Sequence, residues 1–445
     1  MLVHEGKTKP TEHPPAPLHK GDIYDNWIES FIIMIEINRK TLENGLRIVH
    51  SEDTNTQMVA LNVLYDVGAR DEHPDHTGFA HLFEHLMFGG SVNIPDYDAY
   101  VQSAGGENNA WTNNDITNYY ITLPRQNVEI GFWLESDRML SLDFSERSLE
   151  VQRNVVIEEF KQRNLNQPYG DIGHLVRGLV YQNHPYQWPT IGKEPSHIEN
   201  ATLDEVKDFF FRFYAPNNAI LAVTGNISFE DTVALAEKWF GPIPRRNVQP
   251  RNLPVEPVQT EERRLTVERN VPVDALHMVF HKCDRLHPDY HVYDMLSDLL
   301  SAGRSSRLIQ RLVIERQVFG SVDAYISGSI DAGMFYVVGK LAPGISLEEA
   351  EAAVWQELEA MKTDTIAEEE LEKVKNRYES EQIFSNINYL NVATNLAFFE
   401  LIGRAEDINH EVAKYRAVTA QRIKEVAQRT FVRENCSVLY YKAKP

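Results

Sequence analysis

Apolar and polar residues along the first half of the chain follow the pattern of one α+β domain. Met58 to Val67 alternates with the period of a strand that buries one face, and residues 46–50 form a shorter strand after an Asn44-Gly45 turn. Further strands are predicted at residues 119–123 and 218–223. Helices are predicted around them, at residues 94–104, 125–142, 145–165, 202–213 and 228–240.

A proline-rich stretch without periodicity then separates two similar halves. Beyond a linker at residues 244–262, we predict strands at 264–269, 274–281 and 438–442 and helices at 290–300, 305–317, 347–362 and 366–382. The order of strands and helices recurs after roughly 200 residues. The predicted fold class is therefore α+β, with two homologous-looking domains at residues 34–243 and 263–445. Each is an antiparallel or mixed sheet covered by helices.

Composition and charge narrow the class of protein. Of the 445 residues, 42% are hydrophobic and 24% charged, as in globular proteins, and no apolar run is long enough to cross a bilayer. The formal net charge of -21 disfavours nucleic acid and anionic membranes as partners. Residues 1–33 are polar and lack the apolar core of a signal peptide. We expect them to be a disordered extension of a cytoplasmic protein, with the periplasm or an organelle as alternatives.

The most specific feature is a His-x-x-Glu-His motif from His81 to His85, inside a predicted helix. Thr77 is predicted to cap the start of this helix, and a glycine pair at 89–90 to end it. Two histidines four residues apart project from the same helical face, which suits two ligands of one metal ion. Glu84 lies between them in sequence, where its carboxylate can take a proton from a water molecule. The motif is the inverse of the His-Glu-x-x-His zinc helix.

Apolar residues surround the three polar side chains of this helix, so we expect a buried site. Burying two imidazoles and a carboxylate without partners would cost several kcal/mol. They must therefore bind a metal ion or, alternatively, be satisfied by hydrogen bonds in a core helix. A catalytic zinc ion commonly has three protein ligands and one open position. For the third ligand the sequence offers Glu158 and Glu159, both in the predicted helix 145–165.

The segment that follows Gly105-Gly106 is rich in Asn and Thr and contains few apolar residues. Such a composition suits the edge of a sheet better than its centre. An edge strand has free backbone N–H and C=O groups, so it can pair with an extended peptide. The sequence therefore predicts a surface that accepts peptides.

These motifs resemble the pitrilysin/insulinase-type zinc peptidases, the inverzincins, especially the branch of mitochondrial processing peptidase. The resemblance covers residues 36–442. In that family a zinc-binding Glu lies in a segment resembling Arg-x-Val-x-x-x-Glu, which residues Arg153 to Glu159 match. The resemblance thus assigns the third ligand to Glu159. It implies one Zn²⁺ per chain, with Glu84 as the general base. It also implies a metalloendopeptidase that hydrolyses extended or unfolded peptides in a clam-shell chamber between the two domains.

Three other segments carry the resemblance. Two of them are His184-Pro185-Tyr186 and Pro216-Asn217-Asn218. The third, Gly105 to Thr112, resembles the strand with which family members pair the backbone of their substrate. The resemblance therefore implies that substrate is bound by Asn109, Ala110, Trp111 and Thr112.

The sequence departs from the family pattern at two places. Where many members have a second Glu, seven positions before the ligand, this chain has Gln152. Where many active members have an Arg and a Tyr in the second half, it has Val313 and Gly320, and Tyr325 is a weaker stand-in. The resemblance implies that a homologous subunit supplies this pair in a heterodimer, or that the chain forms a homodimer. The alternative is a catalytically weak or non-catalytic assembly subunit of a larger complex.

Overall fold

A computed structural model of the protein describes residues 34–444. The predicted extension at residues 1–33 lies outside them, and from Glu36 onward the chain makes up one compact unit. The strands are β1 (Asn38–Thr41), β2 (Arg47–Glu52), β3 (Met58–Tyr65), β4 (Glu107–Thr112), β5 (Thr117–Pro124), β6 (Ala219–Gly225), β7 (Arg263–Arg269), β8 (Ala275–His281), β9 (Phe319–Ile326), β10 (Met334–Leu341) and β11 (Cys436–Ala443).

The α-helices account for most of the remaining regular structure. They are α1 (Phe79–Leu86), α2 (Tyr97–Ser103), α3 (Val128–Leu140), α4 (Glu146–Phe160), α5 (Ile172–Val180), α6 (Pro195–Glu199), α7 (Leu203–Phe213), α8 (Phe229–Trp239), α9 (Tyr290–Ser301), α10 (Leu347–Thr363), α11 (Glu368–Ser385), α12 (Tyr389–Ile402), α13 (Glu411–Arg416) and α14 (Ala420–Thr430). None of the helices described between residues 34 and 444 combines the length and the apolar character that a membrane span requires.

The two halves repeat one sheet topology. The first sheet has the order β1-β2-β6-β3-β5-β4 and the second β7-β11-β8-β10-β9. If the extra strand β1 is set aside, both sheets place the strands of their half in the order first, fifth, second, fourth, third. In both, the first and fifth strands are parallel and the remaining neighbours are antiparallel. The predicted fold class, two similar α+β halves with mixed sheets covered by helices, is therefore confirmed.

Parts of the second half were missed or misjudged from the sequence. The strands β9 and β10 and the helix α12 were not predicted. The helix predicted at residues 305–317 is shorter than expected and differs in type, because Ile309–Glu315 is a π-helix. β9 has glycine at its second position and β10 at its sixth, and glycine weakens the strand pattern.

Each half lends one helix to the sheet of the other. The helix α5 from the first half packs on β7, β8 and β11, where Val176 and Val180 join a buried cluster with Leu439. In return, α12 packs on β2, β3 and β6, and the Thr394 hydroxyl lies 3.3 Å from the Asn62 side-chain oxygen. This exchange fixes the two halves against each other more firmly than the linker alone could.

The turn between β9 and β10 makes a polar contact with the first half. The Asp331 carboxylate lies 2.9 Å from the buried Arg70 guanidinium and 3.4 Å from His184. The Tyr186 hydroxyl accepts the Asp331 backbone N–H at 3.0 Å, and Asp115 accepts the N–H of Ile330 at 2.9 Å. The His184 to Tyr186 segment therefore connects the two halves of the molecule.

We expect Asp331→Asn to destabilise the protein at pH 7 by about 1 kcal/mol, because the ion pair is partly exposed. Burial raises the pKa of Asp331, but its bond with His184 and the charge of Arg70 together lower that pKa to about 2. A depressed carboxyl pKa stabilises the folded state above the unfolded pKa of about 4, and the stabilisation is lost as the pH falls towards 2. In urea unfolding, the difference in unfolding free energy between wild type and Asp331→Asn should be smaller at pH 3 than at pH 7.

The exposed carboxylate of Asp75 provides the control for this experiment, since its ion-pair partner among the described residues is the likewise exposed His73, at 3.7 Å. Asp75→Asn should change the unfolding free energy little at either pH. A difference between wild type and Asp331→Asn that stayed constant from pH 7 to pH 3 would contradict the ion-pair account.

Candidate metal centre

The motif helix α1 is almost wholly buried. Phe79, Leu82, Phe83 and Leu86 pack into the core between the first sheet and its helices. The Tyr119 hydroxyl of β5 donates to the Phe83 carbonyl oxygen at 3.2 Å, which ties the helix to the sheet. The prediction of a buried helix is confirmed by this packing, and the role of its polar residues stays a prediction.

The predicted cap of this helix is wrong. The N-cap residue is Gly78, with a φ of 92°, and not Thr77. The Thr77 hydroxyl instead lies 2.8 Å from His197 and accepts the N–H of Lys193. An added Cβ at Gly78 would lie 2.9 Å from the Ile191 carbonyl oxygen, so both the backbone conformation and the space require glycine.

A buried carboxylate, Glu72, takes over the capping role. Its two oxygens accept the N–H groups of Gly78 and Ala80, each at 2.9 Å, and the Trp188 indole N–H at 3.1 Å. Burial raises the pKa of Glu72 to about 8, and these hydrogen bonds oppose the rise. Glu72 therefore fixes the start of the helix that carries both histidines.

The structure brings His81, His85 and Glu159 together. The Oε2 atom of Glu159, on α4, lies 3.6 Å from Nε2 of His81 and 3.3 Å from Nε2 of His85. Within the described residues, this trio is the group of His, Cys, Asp or Glu side chains whose ligand atoms converge, all within 4.8 Å of one another. Glu158 points elsewhere: its side chain is 61% exposed and pairs with Lys161 at 2.7 Å.

Two of the three separations between ligand atoms of the trio suit a zinc ion. Two ligand atoms about 2.05 Å from a tetrahedral zinc ion lie about 3.3 Å apart. The two observed separations of 3.3 and 3.6 Å are close to that value, and both exceed the usual N–H···O hydrogen-bond length. Nε2 is the atom of His81 that faces Glu159, and Nδ1 of the same ring is buried with no hydrogen-bond partner among residues 34–444.

Protonation at the site also suits a metal. Burial lowers the pKa of His81 to about 4, which keeps the imidazole neutral. The contact with His85 lowers the pKa of Glu159, which keeps this carboxylate ionised. Burial raises the pKa of Glu84, while the neighbouring Thr112 side chain acts in the opposite direction. A neutral His81 imidazole and an ionised Glu159 carboxylate are the protonation states in which these two side chains bind zinc.

The predicted peptide-binding segment forms the edge strand β4, which pairs with β5 and has no second neighbour in its sheet. In the antiparallel register, Ala110 pairs with Tyr119 and Thr112 pairs with Thr117. The side chains of Ala110 and Thr112 lie on the face of the sheet that α1 covers. Asn109 and Trp111 alternate with them and project from the opposite face. The strand thus runs beside the motif helix, and no other strand in residues 34–444 pairs with its outer edge. Its contact with substrate stays a prediction.

One residue near the site, Arg163, was missed in the sequence. Its guanidinium lies 2.9 Å from Oε1 of Glu159, four residues earlier. The i,i+4 spacing of an acidic and a basic residue was the signal that could have identified it.

The second half contains no Arg/Tyr pair at the predicted positions. Val313 packs against the core of that half, and a Cβ at Gly320 would lie 3.8 Å from the Lys340 carbonyl oxygen, an ordinary van der Waals contact. Tyr325 is 43% exposed on β9, and its ring stacks on Tyr336 with 4.7 Å between centroids. Burial raises the pKa of Tyr325 to about 12, so it is a neutral phenol at physiological pH.

Comparison with known proteins identifies the family. The profile described as Insulinase (Peptidase family M16) matches residues 47–192, and the profile Peptidase M16 inactive domain matches residues 200–378. The chain is 31% identical over 343 residues to zinc protease PqqE of Helicobacter pylori, covering 75% of this chain and 77% of that protein. The chain belongs to peptidase family M16. The family predicted from the motifs is confirmed, and the mitochondrial-processing-peptidase branch stays a prediction.

Other members of the M16 family match over most of their length. The uncharacterized zinc protease YmxG of Bacillus subtilis is 25% identical over 401 residues, covering 89% of this chain and 96% of that protein. The crystal structure of a protease from Helicobacter pylori matches with a TM-score of 0.86 and 27% identity, covering 92% of this chain and 100% of that one. A peptidase M16 inactive domain from Pseudomonas fluorescens matches with a TM-score of 0.83 and 16% identity, covering 92% and 98%. This last likeness concerns the fold alone.

Proposed function

We propose that this M16 chain is a zinc metalloendopeptidase that hydrolyses extended or unfolded peptides. The observation that carries the proposal is the convergence of His81 Nε2, His85 Nε2 and Glu159 Oε2. Glu84 lies on the same helix as the two histidines. His81 and Glu159 lie on different helices, so only the folded chain brings their side chains together. The zinc proteases among its relatives support the same choice of metal. We propose the cytoplasm as its compartment.

In this proposal His81, His85 and Glu159 hold one zinc ion. When bound, zinc polarises the substrate carbonyl and makes the attacking water more acidic. Glu84 accepts the proton from that water as it attacks the carbonyl carbon, and then returns it to the leaving amine. The strand β4 holds the peptide backbone in extended form through Asn109 to Thr112, which favours unfolded segments over folded domains.

The proposal includes a partner. An oxyanion-stabilising donor is worth about 3 kcal/mol, and the chain has Val313 and Gly320 where active relatives would have Arg and Tyr. We propose that a homologous subunit supplies this pair in a heterodimer. The second arrangement is a homodimer, in which Tyr325 would have to stabilise the oxyanion.

Cleavage assays on an unstructured peptide can test the partner. The purified chain alone should cleave slowly, about 100-fold below the rate with a co-expressed homologue that carries the Arg/Tyr pair and lacks the zinc motif. Chelation should abolish the cleavage, and added zinc should restore it. Full activity of the isolated chain, lost in Tyr325→Phe, would show that no partner is required. If the protein retains zinc but cleaves no peptide, either alone or with the homologue, the result would favour the alternative that it is a non-catalytic assembly subunit.

A further inference from the structure

The two oxygens of the Glu159 carboxylate have separate tasks in this structure. Oε2 lies within 3.6 Å of both imidazole Nε2 atoms, whereas Oε1 lies 2.9 Å from the Arg163 guanidinium. The Glu159 side chain is only 18% exposed, and the Arg163 side chain is 70% exposed. Arg163 therefore reaches from the surface to Oε1 of Glu159, whereas Oε2 is the oxygen nearest the two imidazoles.

The backbone places Arg163 for this contact. The helix α4 ends at Phe160, and Lys161–Leu165 continues it as a π-helical turn. The turn is closed by the Asn166 N–H donating to the Lys161 carbonyl at 2.9 Å and by the Asn164 side chain donating to the Phe160 carbonyl at 3.1 Å. π-helical turns are uncommon and often occur at functional sites.

We propose that Arg163 is a positioning residue for the metal centre: it holds Glu159 by Oε1, so that Oε2 alone is turned towards His81 and His85. This rests on the proposed function, because it concerns the carboxylate that would bind zinc. Gln152, seven positions before Glu159 on the same helix, carries no charge. Arg163 is the charged group that orients the ligand here.

Two effects of Arg163 act in opposite directions. A cation near a divalent metal ion opposes binding by repulsion, but the guanidinium is largely exposed, and water screens much of that repulsion. A fixed carboxylate needs no reorientation when the metal arrives, and loss of a partner that orients a ligand commonly lowers metal affinity 10–100-fold. We therefore expect a net gain in zinc affinity from Arg163.

The neighbouring turn offers a matched control. Lys161 forms an ion pair of similar length, 2.7 Å, with Glu158, which does not face the histidines. Arg163→Ala and Lys161→Ala each remove one surface ion pair from the same segment. Both should change the unfolding temperature of the metal-free protein little, since exposed ion pairs stabilise weakly. Only Arg163→Ala should alter the metal centre.

The test is zinc affinity, measured on the full chain by competition with a chromogenic chelator, together with the visible absorption spectrum of the cobalt-substituted protein. We expect Arg163→Ala to bind zinc at least 10-fold more weakly and to shift the cobalt spectrum. Arg163→Lys should recover part of the affinity, and Lys161→Ala should match wild type. Affinity and spectrum in Arg163→Ala equal to wild type, or tighter binding, would overturn the inference. A wild-type chain that binds no zinc would instead overturn the proposed function.

Discussion

Glu84→Gln should retain zinc and lose hydrolysis by about 100-fold to 10000-fold. Glutamine has nearly the shape of glutamate, so the packing of α1 is preserved, and neither histidine nor Glu159 is altered. The amide cannot accept the proton that the attacking water must lose. The measurement is the turnover of an unstructured peptide by the variant and by wild type, in the presence of the partner subunit and at equal zinc content.

The matched control for this variant is Glu158→Gln, a carboxylate near the site that faces solvent. It should hydrolyse peptide at the wild-type rate. Near-native turnover by Glu84→Gln would sink the assignment of Glu84 as the base, while loss of zinc from Glu84→Gln would show that this residue acts as a ligand.

Glu159→Gln should lose zinc, and Glu158→Gln should keep it. A neutral amide oxygen is a far weaker zinc ligand than a carboxylate, and Glu159 is the residue whose Oε2 faces both imidazoles. The two variants differ by one position on one helix, so they share size, helix propensity and change of charge. Zinc content per chain after dialysis against a weak chelator distinguishes them.

Zinc lost from Glu158→Gln alone would mean that α4 is rotated relative to this structure. Zinc retained by both would mean that the third ligand lies elsewhere. In either case the proposed ligand set would have to be replaced.

The pair of histidines could be predicted from the sequence because a helix fixes which residues share a face. His81 and His85 are four residues apart, so the period of the helix alone brings them together. Glu159 could not be placed in this way, because it lies on another helix. The spacing of residues left Glu158 and Glu159 equivalent, and only the family resemblance separated them.

Other features depend on contacts that are distant in sequence. The cap of α1 is supplied by Glu72, six residues before Gly78, and Thr77 is drawn away by His197. The exchange of α5 and α12 between the halves could not be read from the sequence, because an apolar helical face does not reveal which sheet it covers. The two similar halves were predicted correctly, although β9 and β10 were not, since the strands around them carried enough of the pattern.

The central claim is that two imidazoles and one carboxylate hold one zinc ion in the first half of the molecule. X-ray absorption at the zinc edge on the metal-replete protein tests it most directly. The account predicts one zinc per chain, with two imidazole nitrogens at about 2.0–2.1 Å, oxygen from Glu159 and water at about 2.0–2.2 Å, and no sulfur. A sulfur ligand at about 2.3 Å, which would have to come from Cys283 or Cys436, or a protein without zinc, would contradict it.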